Sequence, residues 1–88
     1  MSISLEKARS LANDVVTTLG HENNDDFIII DNLTIEKREG WLFFYNTRDF
    51  YQSGNAVDAL VGNGPIFVNH DGSVTRLPSS EHWEPMGN

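Results

Sequence analysis

Trp41-Leu42-Phe43-Phe44-Tyr45 is the most apolar run in a chain of 88 residues, and its aromatic density marks a β-strand. Side chains alternate along a strand, so Trp41, Phe43 and Tyr45 share one face while Leu42 and Phe44 take the other. A sheet with aromatic residues on both faces is either covered twice or leaves an adhesive surface exposed. The cover has to come from the rest of the chain.

On the N-terminal side, Phe27-Ile28-Ile29-Ile30 has the β-branched density of an interior strand, and the run can extend through Leu33 and Ile35. Glu36-Lys37-Arg38-Glu39-Gly40 is then a charged turn, closed by the residue best suited to a positive φ. Further back, Leu5, Ala8, Leu11, Ala12, Val15, Val16 and Leu19 recur at intervals of three and four, which predicts an amphipathic helix with one buried stripe. Ser2 or Ser4 can cap its start, and Gly20 is placed to end it. The polar stretch from His21 to Asp26 reads as a loop.

On the C-terminal side, Arg48 to Gly64 reads as an irregular loop with a helical turn around Asn55 to Leu60, since Gly54, Gly62 and Gly64 break anything longer. Pro65 to Asn69 is a third strand. His70-Asp71-Gly72-Ser73 is a tight hairpin turn, and Val74 to Leu77 returns as a short fourth strand. Pro78 ends it, and Ser79 or Ser80 can cap a final helical turn holding Trp83. No repeat or linker interrupts the pattern. Residues 1–88 are therefore expected to form one α+β domain, an N-terminal helix packed on a small, mainly antiparallel sheet of about four strands.

The charge is lopsided, with 13 acidic residues against 6 basic ones and a net charge of -7. Such a surface repels nucleic acid and anionic membrane and suits a basic protein partner. The chain has no cysteine, which removes disulfides, thiolate catalysis and cysteine-ligated metals. Its apolar runs are only a few residues long, against the ~18 needed to span a bilayer, and no basic start leads into an apolar signal segment. A soluble, unprocessed product of the cytoplasm is the expectation.

Catalytic patterns are sparse. His21, His70 and His82 make no metal-ligand spacing with their neighbours. His70-Asp71 resembles a base beside its orienting carboxylate, but adjacent turn residues point in different directions and turn geometry already accounts for Asp71-Gly72. Gly62-Asn63-Gly64-Pro65 lacks the spacing of a phosphate cradle and no lysine follows it. Ser53, Ser73, Ser79 and Ser80 have no activating partner in view. The expectation is a protein with no catalytic residues, no metal and no cofactor.

Asp14, Glu22, Asp25, Asp26 and Asp31 follow one another between Arg9 and Lys37 with no lysine or arginine among them. They form either a solvated surface that keeps a small protein soluble or a negative patch that steers a basic partner. The aromatic residues add to the second reading, because they are more bulk than one helix needs to cover. The candidate partner-binding set is Glu22, Asp25, Asp26 and Asp31, with Tyr51 and Trp83 as exposed apolar anchors.

Gly40-Trp41-Leu42-Phe43-Phe44-Tyr45-Asn46, then Leu60-Val61-Gly62-Asn63-Gly64-Pro65-Ile66-Phe67-Val68, then Asp71-Gly72-Ser73-Val74 with Leu77-Pro78-Ser79-Ser80 together resemble the immunity protein 35 family, also called the YrhB-like domain. The resemblance covers nearly the whole chain. It implies an immunity protein of a bacterial polymorphic toxin system, which protects the producing cell by binding a cognate toxin encoded beside it. A chaperone-like relative in that family supplies the alternative, a domain that recognises exposed apolar segments. Either way the resemblance implies a protein binder rather than an enzyme. The matching Gly-Trp, Gly-Asn-Gly-Pro and Asp-Gly positions all have structural explanations, so they do not mark a docking surface. Toxin identity, docking surface and oligomeric state stay open.

Overall fold

A computed structural model describes residues 2–54 and 64–77. Helix α1 runs from Leu5 to Glu22, and the side chain of Ser4 caps it by accepting a hydrogen bond from the Lys7 amide at 3.1 Å. Ala8, Ala12, Val16 and Leu19 form its buried stripe, with Leu11 and Val15 packed at the margin, whereas Leu5 is 50% exposed and lies off it. Alanines at the centre of the stripe let the helix approach the sheet closely.

Gly20 does not end α1. It is buried within the last turns, where a Cβ would sit 2.8 Å from the Asp25 carbonyl oxygen and 3.3 Å from the Phe27 nitrogen. The helix stops two residues after Gly20, at Glu22, and Asn24 takes the left-handed conformation at φ 52°. The Asp25 amide bonds the Gly20 carbonyl at 2.8 Å and the Asn24 amide bonds the His21 carbonyl at 3.3 Å, a Schellman closure in which asparagine takes the position usually held by glycine.

Strand β1 (Phe27–Ile29) follows, a short 3-10 turn covers Asp31–Leu33, and β2 is Ile35–Glu36. The isoleucine run is thus not one strand reaching Ile35. The Leu33 amide bonds the Ile30 carbonyl at 3.0 Å and the Thr34 amide bonds the Asp31 carbonyl at 3.1 Å, which turns the chain so that β1 and β2 join different sheets. Among the described residues β1 has one neighbour only, so it is not an interior strand.

The aromatic run also divides. Strand β3 is Gly40–Phe43, β4 is Tyr45–Thr47, and the break falls at Phe44. Strand β3 lies inside a four-stranded antiparallel sheet ordered β2-β3-β5-β6, with β5 at Ile66–Asn69 and β6 at Val74–Arg76, while β4 pairs with β1 in a separate antiparallel ribbon. The Phe44 carbonyl accepts from the Ile30 amide at 2.8 Å, the first bond to the new partner. The alternation survives the break. Trp41, Phe43 and Tyr45 all pack into the core under α1 with Phe27, Ile29, Ile66 and Val68, while Leu42, buried on the opposite face, stands in register with Ile35 and Phe67.

Gly40 has no positive φ. It is paired with Asn69, and a Cβ at Gly40 would stand 2.0 Å from the Val68 carbonyl oxygen. Its missing side chain serves a close approach between strands rather than the turn. The positive φ belongs to Gly72, at 95° in the β5–β6 turn.

Helix α2, Arg48–Ser53, occupies ground read above as loop. The buried Thr47 caps it, its hydroxyl accepting from the Phe50 amide at 3.0 Å, and Gly54 closes it. The helical turns expected around Asn55 to Leu60 and Trp83 lie outside the described residues.

Candidate functional site

The β1–β4 ribbon, the 3-10 turn and α2 enclose an apolar groove of about 390 Å³, lined chiefly by Ile30, Leu33, Phe44, Phe50 and Tyr51. Each wall has a local cause. The 3-10 turn lifts Leu33 out of the strand path, strand alternation points Phe44 away from the α1 core, and the Thr47 cap starts α2 at once so that Phe50 and Tyr51 line the groove. Leu33 is 50% exposed and Tyr51 59% exposed. Of the sequence-derived candidates, Tyr51 therefore stands on this rim. Trp83 lies outside the described residues.

The acidic candidates are all exposed, but they are strung out rather than gathered. Asp31 pairs with Arg9 through two hydrogen bonds, 2.6 Å to Nε and 3.0 Å to Nη2. Asp26 pairs with Arg48 Nε at 2.5 Å, and its carbonyl also accepts the Arg48 amide at 2.8 Å. Glu22 lies on a second, shallower groove of about 270 Å³ with Asp14 and Arg76. Arg9 and Glu22 are thirteen residues apart on α1, so Asp31 and Glu22 stand about 20 Å apart along the helix axis. Asp25 and Asp26 sit at one end of β1 and Asp31 at the other. Hydrogen bonding to Asp31 raises the Arg9 pKa above its usual range.

Ile30, Leu33, Phe44 and Phe50 were not candidates from the sequence. Leu33 was read as strand and Phe44 as part of an unbroken strand, and Phe50 lay in an unassigned loop. The available signals were Thr47 followed by Asp49, a cap with an acid in the first turn, and Gly54 at the end.

The features that resembled catalytic machinery have structural roles. The His70 ring packs edge-on against Trp41, centroids 4.6 Å apart. Asp71 accepts from the Ser73 amide at 2.8 Å and from the Ser73 hydroxyl at 2.5 Å, which holds its carboxyl below the usual carboxylate range and commits it to the turn. Pro65 is buried, and its carbonyl accepts the Leu77 amide at 3.0 Å, closing the β5–β6 hairpin. Among the described residues no three His, Asp or Glu side chains are placed to hold a metal ion, and no helix is long and apolar enough to cross a membrane.

Among the described residues the site is an apolar groove, with Asp31 and Asp49 next in sequence to its lining residues Ile30 and Phe50. No curated protein and no solved structure matches the chain. The family model described as immunity protein 35 matches residues 6–86, from the first turn of α1 to beyond β6, and on that match the chain belongs to the immunity protein 35 family.

Proposed function

We propose that this immunity protein neutralises a cognate bacterial toxin by stoichiometric contact, acting in the cytoplasm of the cell that makes it and performing no catalysis of its own. The family match over residues 6–86 carries the reading. The net charge of -7 supports it, because a surface of that sign speeds encounter with a basic partner. A toxin that acts on nucleic acid fits best, since its phosphate-binding surface is basic and carboxylates can occupy the same ground.

The alternative is a chaperone-like domain using its aromatic sheet face, and of its aromatic run, residues 41–45, only the Phe44 side offers apolar surface. Trp41, Phe43 and Tyr45 are buried in the core with α1.

The test is co-purification with a tagged chain from its host, at low and then high salt, followed by co-expression with the captured toxin. Recovery of one toxin at one-to-one stoichiometry, with cells rescued from it, is the expected outcome. Capture of many unrelated proteins, with aggregation of unrelated clients suppressed, would replace this reading with the chaperone-like one.

A further inference from the structure

Most exposed apolar side chains on a small protein stand singly and carry no message. Four large ones are exposed among the described residues, Leu5, Leu33, Tyr51 and Val74. Leu33 and Tyr51 line the same groove with Ile30, Phe44 and Phe50, whereas Leu5 and Val74 line neither groove described above.

The walls are held before any partner arrives. The Ile30 amide is fixed to the Phe44 carbonyl at 2.8 Å, the Leu33 amide to the Ile30 carbonyl at 3.0 Å, and the Gly54 amide closes α2 onto the Phe50 carbonyl at 2.7 Å. A groove that needs no ordering on binding loses little conformational entropy. Its volume of about 390 Å³ is at the small end for ligand pockets, enough for one or two large side chains rather than a whole helix.

Charge around the groove selects the bearer of those side chains. Arg48, which opens α2, is engaged by Asp26, and Arg9 is engaged by Asp31, which follows Ile30. Asp31, next to Ile30, and Asp49, next to Phe50, flank groove residues in sequence, and Asp49 takes part in neither ion pair. Among the described residues the charge flanking the groove is therefore negative in excess, since Asp31 and Asp26 match the two arginines and Asp49 adds a further carboxylate.

We infer that the groove between Leu33 and Tyr51 is the docking site for the toxin, and that it receives an apolar or aromatic side chain carried on a cationic segment of that toxin. The inference rests on the function proposed above and specifies its surface. Exposed rim residues do not hold the fold, so their variants remain folded, with urea midpoints close to that of the unaltered chain.

The probe is the toxin domain captured in the co-purification, titrated with the full chain and with Leu33→Ser, Tyr51→Ala, the double variant and Val74→Ser. Each groove substitution is expected to raise Kd about tenfold and the double variant more, as for central anchors of an interface, while Val74→Ser stays within about threefold. Asp49→Asn is expected to slow association several-fold at low salt and to lose that effect at high salt. Unchanged affinity of the double variant for a toxin that the unaltered chain binds tightly overturns the groove and leaves the function standing. An effect of Val74→Ser equal to that of Tyr51→Ala also overturns it. A dimer of the unaltered chain that Leu33→Ser dissolves makes a second copy the occupant and overturns the toxin assignment. Failure of the unaltered chain to bind or protect removes the function, and the inference with it.

Discussion

The two halves of the Gly40–Thr47 segment have the same alternation and different fates. Under α1, Trp41, Phe43 and Tyr45 are closed in by a helix stripe of small side chains, and little apolar surface there reaches water. On the opposite face Phe44 lines a groove that residues of the 3-10 turn and α2 border without filling. In the first region apolar surface is satisfied within the chain. In the second it is left over, and the leftover surface is held rigid by backbone hydrogen bonds, which is the condition under which exposed apolar residues are useful to a binding protein.

The sharpest way to break that contrast is to truncate one aromatic residue in each region. Phe43 is buried, with almost no surface left to solvent, and Phe43→Ala should cost about 3–5 kcal/mol, a large share of the ~5–15 kcal/mol available to a domain of any size. Tyr51→Ala should stay within about 0.5 kcal/mol. Urea denaturation of the two variants measures both. Similar losses would mean that Tyr51 is part of the core and the groove is not spare surface.

Gly40→Ala comes next and probes the sheet on which the covered face is built. A Cβ there meets backbone atoms of β5, the Val68 carbonyl oxygen and the Asn69 Cα, rather than a side chain that can swing aside. Strands β3 and β5 would have to separate, at a cost of about 1–3 kcal/mol or more. The urea midpoint should fall accordingly, whereas alanine at Gly54, where a Cβ would meet nothing within 4 Å but φ is 70°, should cost only about 1 kcal/mol.

The covered region was legible in the sequence because its signals are periodic. The stripe on α1, the alternation of β3 and the Asp71-Gly72 turn each follow from residue spacing, and together they predict an α+β domain with the helix on one face of an antiparallel sheet. The second region was not legible, for reasons that differ by residue. The break at Phe44 leaves the alternation in phase, so no pattern reveals it. Leu33 continues an isoleucine-rich run that turns only because local 3-10 bonds replace sheet pairing. The start of α2 did have a signal, Thr47 with Asp49, obscured by the aromatic residues on either side. Tyr51 was legible as an exposed residue but not as half of a groove. The Arg9–Asp31 and Asp26–Arg48 pairs each join residues 22 apart, a consequence of tertiary packing that no spacing rule encodes.

Those ion pairs allow a finer test. Both are exposed, with 44% and 62% of the Arg9 and Asp31 side chains accessible, so a double-mutant cycle with Arg9→Gln and Asp31→Asn should give a coupling of only about 0.5 kcal/mol, fading with added salt. Their value would then lie in neutralising arginines beside the groove. Asp31→Asn frees Arg9, and association with the toxin should slow while stability hardly changes. Faster association would mean that the partner surface is acidic.

The smallest effect separates a carboxylate held by a turn from one held by an arginine. Asp71 receives two hydrogen bonds from Ser73, and its pKa is lowered from the ordinary 3.8. Because the folded value lies below the unfolded one, the charged form favours folding. That contribution is complete above the ordinary carboxylate range and disappears as pH falls through the lowered folded value. The urea midpoint of Asp71→Asn should therefore lie slightly below that of the unaltered chain at pH 7, and the two should converge as the pH drops below about 4. Persistence of the gap at acid pH would show that Asp71 acts through a turn geometry that asparagine does not reproduce rather than through its charge.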